Sequence, residues 1–185
     1  METDKHQEQG LAIQQPTKQQ VVNLLKNKPT LYWESINPKT ALEVFNATAS
    51  PSIIEMEIEL GGIVLRAHMV RWFNSFIQFY STNGTMNDLQ VADTINLVIE
   101  EYPHYKQEDF KLFFKMAKKG MFGQVFGRMD GEVILSWFKA YDKHRDTMAQ
   151  NESIKEAERF KRLSQEDNPT GITYEEYLQL KKSKK

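Results

Sequence analysis

Residues 52–80 read SIIEMEIELGGIVLRAHMVRWFNSFIQFY, and two periodicities compete in them. Ile54, Met56, Ile58 and Leu60 alternate with Glu55, Glu57 and Glu59 ahead of Gly61-Gly62, a strand pattern followed by a turn, so a short β-hairpin around the glycines is one reading. Residues 63–80, however, run for eighteen positions without a turn signal, and Val70, Phe73, Phe76 or Ile77, and Tyr80 recur at helical spacing. That spacing favours one long helix, broken or bent at the glycines, each of which costs roughly 1 kcal/mol in a helix interior. The hairpin stands as the alternative.

On the N-terminal side, residues 1–16 are rich in Gln and charged groups and read as a disordered tail. Thr17 and Gln20 form a capping box for a short helix carrying Val21, Val22, Leu24 and Leu25, which stops before Pro29. LYWESI links onward to a helix starting at Asn37-Pro38, with Ala41, Val44, Phe45 and Thr48 on one face. Ser50-Pro51 repeats that start signal.

Toward the C-terminus the pattern is helical throughout. Val91, Ile95, Val98, Ile99 and Tyr102 predict a helix from about Asn87 to Glu101, ended by Pro103. Another begins near Gln107, carries Phe110, Phe113, Phe114 and Ala117, and has Gly120 as its C-terminal cap. Asp130 caps a third bearing Ile134, Trp137, Phe138 and Tyr141. Beyond it the apolar stripe thins to Ile154, Phe160 and Leu163, and Thr173 with Glu176 caps a short terminal helix bearing Tyr174, Tyr177 and Leu178. The expected architecture is mainly α: a compact multi-helix domain over 17–148, then a charged helical extension over 149–185 that ends in a short helix and the basic tail KKSKK.

Whole-chain properties narrow the chemistry. The 185 residues carry a formal net charge of −1, so electrostatic targeting must come from local clusters. There is no cysteine, which excludes disulfides, thiol nucleophiles and thiolate metal sites. No apolar run approaches a membrane span or a signal sequence, so a soluble cytoplasmic protein is expected, with no membrane association. His6, His68, His104 and His144 show no metal-binding spacing, and no metal or cofactor is expected. No nucleophile elbow, triad or kinase signature is present, and no two acids are spaced as a buried acid/base pair, which points away from an enzyme.

One stretch concentrates cations and freedom. Residues 118–131, KKGMFGQVFGRMDG, hold Gly120, Gly123, Gly127 and Gly131 in neither dinucleotide-fold nor phosphate-loop spacing. From Lys115 to Arg128 lie four cations, Lys115, Lys118, Lys119 and Arg128, with no acid, interleaved by Phe122 and Phe126. Cations beside mobile backbone contact phosphates, and exposed aromatics stack on unpaired bases. Turn chemistry for the glycines, core packing for the phenylalanines and solvated lysines account for the same residues. Arg145, one helix further on, would extend such a basic face, though Asp142 and Asp146 dilute it. Trp33, Tyr174 and Tyr177 lie outside the periodic segments and are the aromatics expected to dock a terminus or meet a partner.

The block 86–145 carries Gln90, Tyr102-Pro103, Asp109-Phe110, Ala117-Lys118, Gly120, Phe122-Gly123, Arg128, Asp130-Gly131, Trp137, Tyr141 and Arg145 in order. In this it resembles a family of uncharacterised small helical proteins from Bacteroidetes genomes, phages and mobile elements. Phe126-Gly127 departs from the Tyr-Asp of that pattern, which makes this copy more basic. There is a looser likeness to helical replication accessory proteins of phages such as helicase loaders, resting on architecture alone. The family resemblance carries no established activity; the basic stretch, taken with the looser likeness, leads to the expectation of a non-enzymatic accessory protein of phage or mobile-element DNA metabolism that binds DNA or a replication protein through the basic Gly-rich loop. The candidate contacts are Lys115, Lys118, Lys119, Phe122, Arg128 and Arg145. The alternative is a protein-interaction or assembly module acting through the C-terminal arm, without nucleic acid.

Overall fold

In the computed structural model, which describes residues 16–80, 84, 86–125, 127–166 and 174–183, the ambiguous segment is helical on both sides of a break. α4 (Ile53–Leu60) ends at Gly61, and α5 (Gly62–Ile77) begins one residue later. Gly61 has φ +83° and ψ 146°, a backbone open almost only to glycine, so the chain turns there instead of bending. The hairpin reading is thereby corrected.

The glutamates that mimic strand alternation are spaced for three different cations. Glu55 pairs with Lys18, Glu59 with Lys26 at 2.9 Å, and Glu57 with Arg66 at 3.2 Å. The first two pairs tie α4 to α1 (Lys18–Asn27), and the third crosses the break to α5. Burial on α5 follows Leu65, Met69, Trp72, Phe73, Phe76 and Ile77, a stripe shifted from the expected one: Val70 and Tyr80 are only half-buried.

Caps explain most remaining boundaries. α1 starts at the Thr17/Gln20 capping box, as its spacing predicts. Pro29 does not end helical structure; it opens α2 (Pro29–Ser35), because a proline at a first helical position sacrifices no hydrogen bond. LYWESI is therefore mostly helix. α3 (Ala41–Asn46) is capped by Thr40, not Asn37, and α4 by Ser52 with Glu55, not Ser50. The first amides of α4 are also met from outside: Ile53 N donates to Tyr105 O at 2.7 Å and Ile54 N to Pro103 O at 3.1 Å. α6 (Asp88–Glu101) has the Asn87/Gln90 capping box, α7 (Gln107–Lys118) ends before Gly120, and Asp130 Oδ1 accepts from Val133 N at the start of α8 (Gly131–Glu166). α9 (Tyr174–Ser183) follows; Thr173, its expected cap, the residues 1–15 of the expected tail, and Lys184 and Lys185 lie outside the described residues.

The chain divides into one compact unit ending at Lys143 and a second beginning at His144; α8 contributes to both. The core of the first is aromatic. Phe113 stacks on Phe138 with centroids 3.9 Å apart, and Phe73, Phe110, Tyr105 and Tyr141 close around them, all fully buried. In the second unit α9 buries nothing: Tyr174 and Tyr177, like Ile154, Phe160 and Leu163, are exposed. Among the described residues there is no strand, and no helix is long and apolar enough to cross a membrane.

Candidate functional site

α7 is where charge and aromatic surface converge. Its apolar face, Phe110, Phe113, Phe114 and Ala117, is buried as the periodicity predicts, which leaves Lys111, Lys115 and Lys118 on the flank toward α2 and α5. With Lys119 they line a cleft of about 430 Å³ bounded by Trp33 of α2 and Trp72 of α5. The two indoles stack at 4.6 Å with their planes 8° apart, and Trp33 also meets the edge of Phe114 at 6.2 Å. Trp72 is buried beneath while Trp33 is half-exposed.

Lys111, Lys115 and Lys118 are held, not loose. Lys111 Nζ donates to Trp33 O at 2.8 Å and lies 4.6 Å from the Trp33 ring centroid, a cation–π contact. Lys115 Nζ donates to Asn37 Oδ1 at 2.9 Å and Pro38 O at 3.0 Å. Lys118 Nζ sits 5.1 Å over the Phe79 ring. Partial burial pulls Lys111 below its ordinary value; Glu34 opposes this, and Lys118 and Lys115 add to it. Burial lowers Lys118 as well. Lys106, at the N-cap of α7, acts in the same way, donating to Ala47 O at 2.8 Å and Val44 O at 3.3 Å. Neither α2 nor α3 has a basic residue in its own last turn, so ammonium groups from α7 meet carbonyls at their C-terminal ends.

The six residues expected from the sequence thus separate. Lys115, Lys118 and Lys119 share the cleft. Phe122 stands apart from the cleft: it is half-buried and stacks on Phe113, centroids 5.6 Å apart and planes 19° apart, so one face of its ring is given to the core. Arg128 is exposed but pairs with Asp130 at 2.7 Å. Arg145 is 9% exposed, which withdraws it from any open face. Gly120, Gly123 and Gly127 have positive φ, so they serve turn geometry; Phe126 lies outside the described residues. Sequence reasoning missed Lys111, Trp72 and the role of Trp33, because their proximity is tertiary.

A second feature escaped the sequence. Gln107, Glu108 and Asp109, three consecutive polar residues, are all buried. Glu108 Oε1 accepts from Tyr32 OH at 2.8 Å and Ser50 Oγ at 2.5 Å, while Asp109 Oδ1 accepts from Tyr141 OH at 2.9 Å. Asp109 Oδ2 accepts from Lys106 N at 2.9 Å, closing the start of α7. Burial and the neighbouring Glu108 charge push the Tyr32 phenol up. These carboxylates tie α7 to α2, α8 and the segment before α4, each facing a hydroxyl in place of water.

Another groove, about 600 Å³, runs between α6 and α8 past Asp93, Leu97, Glu101, Glu132, Leu135 and Lys139, with three acids to one lysine where the α7 cleft has lysines alone. Among the described residues no cluster of three His, Asp or Glu is arranged to hold a metal ion. No curated protein and no solved structure matches the chain. A family model does match it, over residues 86–185, a span that takes in α6 to α9 and the lysines of the cleft but neither tryptophan. The chain belongs to DUF6633, a family of unknown function.

Proposed function

We propose that this chain is a non-enzymatic, cytoplasmic accessory protein of phage or mobile-element DNA metabolism that holds nucleic acid along the lysine row of α7. The observation that carries the reading is the convergence of Lys111, Lys115, Lys118 and Lys119 on one cleft floored by Trp33 and Trp72, with no acid among the residues lining it. Phosphates are met there by ammonium groups already oriented by carbonyls and rings, so less side-chain freedom is lost on binding. The surface is therefore the flank of α7 and not the glycine-rich loop. The mobile-element setting rests on the sequence resemblance over 86–145. Binding needs no bond to break, and the described chemistry of the cleft is that of positioned charge.

The test is fluorescence anisotropy of labelled single- and double-stranded DNA across a salt titration. Affinity should fall steeply with salt, with a slope near −0.7 to −0.9 per neutralised phosphate. The double substitution Lys118→Glu, Lys119→Glu should abolish it. No binding at low salt sinks the proposal.

A second reading is favoured by one observation on the other unit. Ile154, Phe160, Leu163, Tyr174, Tyr177, Leu178 and Leu180 are all exposed there, more apolar surface than a short charged segment needs for itself. On this reading the C-terminal arm is a protein-interaction module. Replacing Phe160, Leu163 and Tyr177 by Ser should then abolish self-association or capture of a replication protein while leaving DNA binding unchanged. If size-exclusion and pull-down profiles do not move, this reading loses its support.

A further inference from the structure

Two clefts, not one, open beside Trp33. The second, about 270 Å³, lies toward α5 and adds Pro29, Thr30, Glu34, His68 and Arg71 to a boundary it shares with the first. The shared residues are Trp33, Trp72, Ser75 and Lys111. Arg71 is exposed, and its Nη1 donates to Thr30 Oγ1 at 2.9 Å, which orients the guanidinium at the rim. Cations therefore stand at both ends of the tryptophan floor: Arg71 at one, Lys118 and Lys119 at the other, and Lys111 common to both. Glu34 is the one acid among the described residues lining either cleft.

This arrangement matches an unpaired strand better than a duplex. A duplex turns its phosphates outward and keeps its bases stacked on one another, so it would meet only the cations at the rim. An unpaired strand has free base faces, and aromatic stacking supplies affinity without sequence preference. The clefts are also of the size that encloses small-molecule groups, near the ~300–1,000 Å³ of ordinary ligand sites, and share a wall of four residues. We infer, building on the nucleic-acid reading above, that the two clefts form one track for a short stretch of single-stranded nucleic acid, with successive phosphates on Arg71, Lys111 and the Lys118/Lys119 pair and a base set against Trp33. Arg71, His68 and Trp33 thereby join the site from outside the segment matched to the family.

The experiment uses the full chain with fluorescein-labelled oligo-dT of about four to sixteen nucleotides, the range of single-strand sites. A duplex of matched length and free dTMP serve as comparators. Anisotropy reports affinity, and tryptophan fluorescence reports contact, since two of the three tryptophans floor the track. Single strands should bind about tenfold or more tighter than the duplex, quench the tryptophans, and outcompete dTMP. Arg71→Ala, at an exposed position, should weaken single-strand binding several-fold and flatten its salt slope by about 0.7, one phosphate, with little effect on the duplex. Trp33→Phe, which retains a ring over Trp72, should weaken single strands only.

Equal affinity for duplex and single strand, an Arg71→Ala chain with an unchanged salt slope, or dTMP competing as well as the oligomer overturns the track. If single strand and duplex bind equally and Lys118→Glu, Lys119→Glu abolishes both, the lysine-row proposal survives and the track alone falls. If neither binds at low salt, both fall.

Discussion

Asp130 divides its carboxylate between two tasks: Oδ2 lies 2.7 Å from Arg128 Nε, and Oδ1 accepts from Val133 N at 3.1 Å. The acid thus caps α8 and occupies the cation of the glycine-rich loop at once. The Arg128 side chain is 72% exposed, so the pair is screened by solvent and contributes little by itself, whereas the cap satisfies an otherwise orphaned amide. Asp130→Ala should destabilise the fold by about 1 kcal/mol in urea titration. Arg128→Ala should move it by less than ~0.5 kcal/mol. Arg128→Ala should also leave DNA affinity within about twofold of the parent, in contrast to Lys118→Glu, Lys119→Glu; a larger loss would return the loop to the binding surface.

Adjacent glycines should respond unequally to alanine. At Gly61 nothing lies within 4 Å of an added Cβ, yet φ +83° makes any side chain costly, and Gly61→Ala should destabilise by about 1–3 kcal/mol. At Gly62 the backbone is helical, but a Cβ would come 2.6 Å from Arg66 Nη1 and 2.9 Å from Glu57 Oε1. Those are the ends of flexible chains in an exposed pair, which can shift. At this first helical position alanine gains less than the roughly 1 kcal/mol of a helix interior, which is set against a solvent-screened pair of similarly small worth, leaving Gly62→Ala within ~0.5 kcal/mol of the parent. Thermal melts of the two variants compare them directly.

The buried hydroxyl cluster predicts a stability loss that spares binding. Tyr32 OH reaches both Ser50 Oγ, at 2.6 Å, and Glu108 Oε1, and Glu108 Oε2 has no partner. Tyr32→Phe removes a donor from a carboxylate that already lacks one, and should cost about 1–3 kcal/mol. DNA affinity below the new melting range should stay unchanged. An equally stable Tyr32→Phe chain would mean that Ser50 alone satisfies the acid.

Binding should also weaken early on the alkaline side. Lys111 and Lys118 both lose their protons below the ordinary lysine value of 10.5. A bound phosphate favours the ammonium form and raises those values, so complex formation takes up protons wherever the free lysines are partly neutral. Affinity should therefore decline as pH rises, starting below the range of an exposed lysine. Folding has the opposite dependence: the unfolded chain holds these protons more tightly, so stability contributed by the two lysines rises with pH until 10.5 is reached. Lys111→Arg, which keeps its charge, should shift the decline in DNA affinity to higher pH. Anisotropy from about pH 7 to 10 reads it.

What was legible in the sequence was local. The Thr17/Gln20 cap, the span of α6 and the buried Phe110, Phe113 and Phe138 all follow from spacing, because caps and apolar faces are written within a few residues. The residues 53–60 misled through period two because their glutamates answer three separated cations, Lys18, Lys26 and Arg66, and no single-segment pattern encodes that. Pro29 reads as a stop or a start with equal right, and packing chose the start. Lys115, Lys118 and Lys119 were visible as a charge run, but Lys111 and the floor of the cleft were not: Trp33 and Trp72 are thirty-nine positions apart (72 − 33), and only the fold stacks them. The burial of Glu108 and Asp109 left no mark in the sequence for the same reason, since their partners Tyr32, Ser50 and Tyr141 come from distant helices and turns.

The hydrogen bonds from α7 to the end of α2 and the chain just beyond it have one consequence for regulation. Lys111 and Lys115 donate to Trp33 O and Pro38 O, so the backbone of residues 33–38 holds in place the ammonium groups an anion would meet. Ligand occupancy and the order of residues 29–38 become two readings of one equilibrium, and thermodynamic reciprocity makes each control the other. A partner that rigidifies α2 would raise the affinity for phosphate, and one that frays it would lower it. This short helix would then act as a dial on affinity, one that hydrogen exchange at Ile36, whose amide closes α2, can follow without touching the cleft.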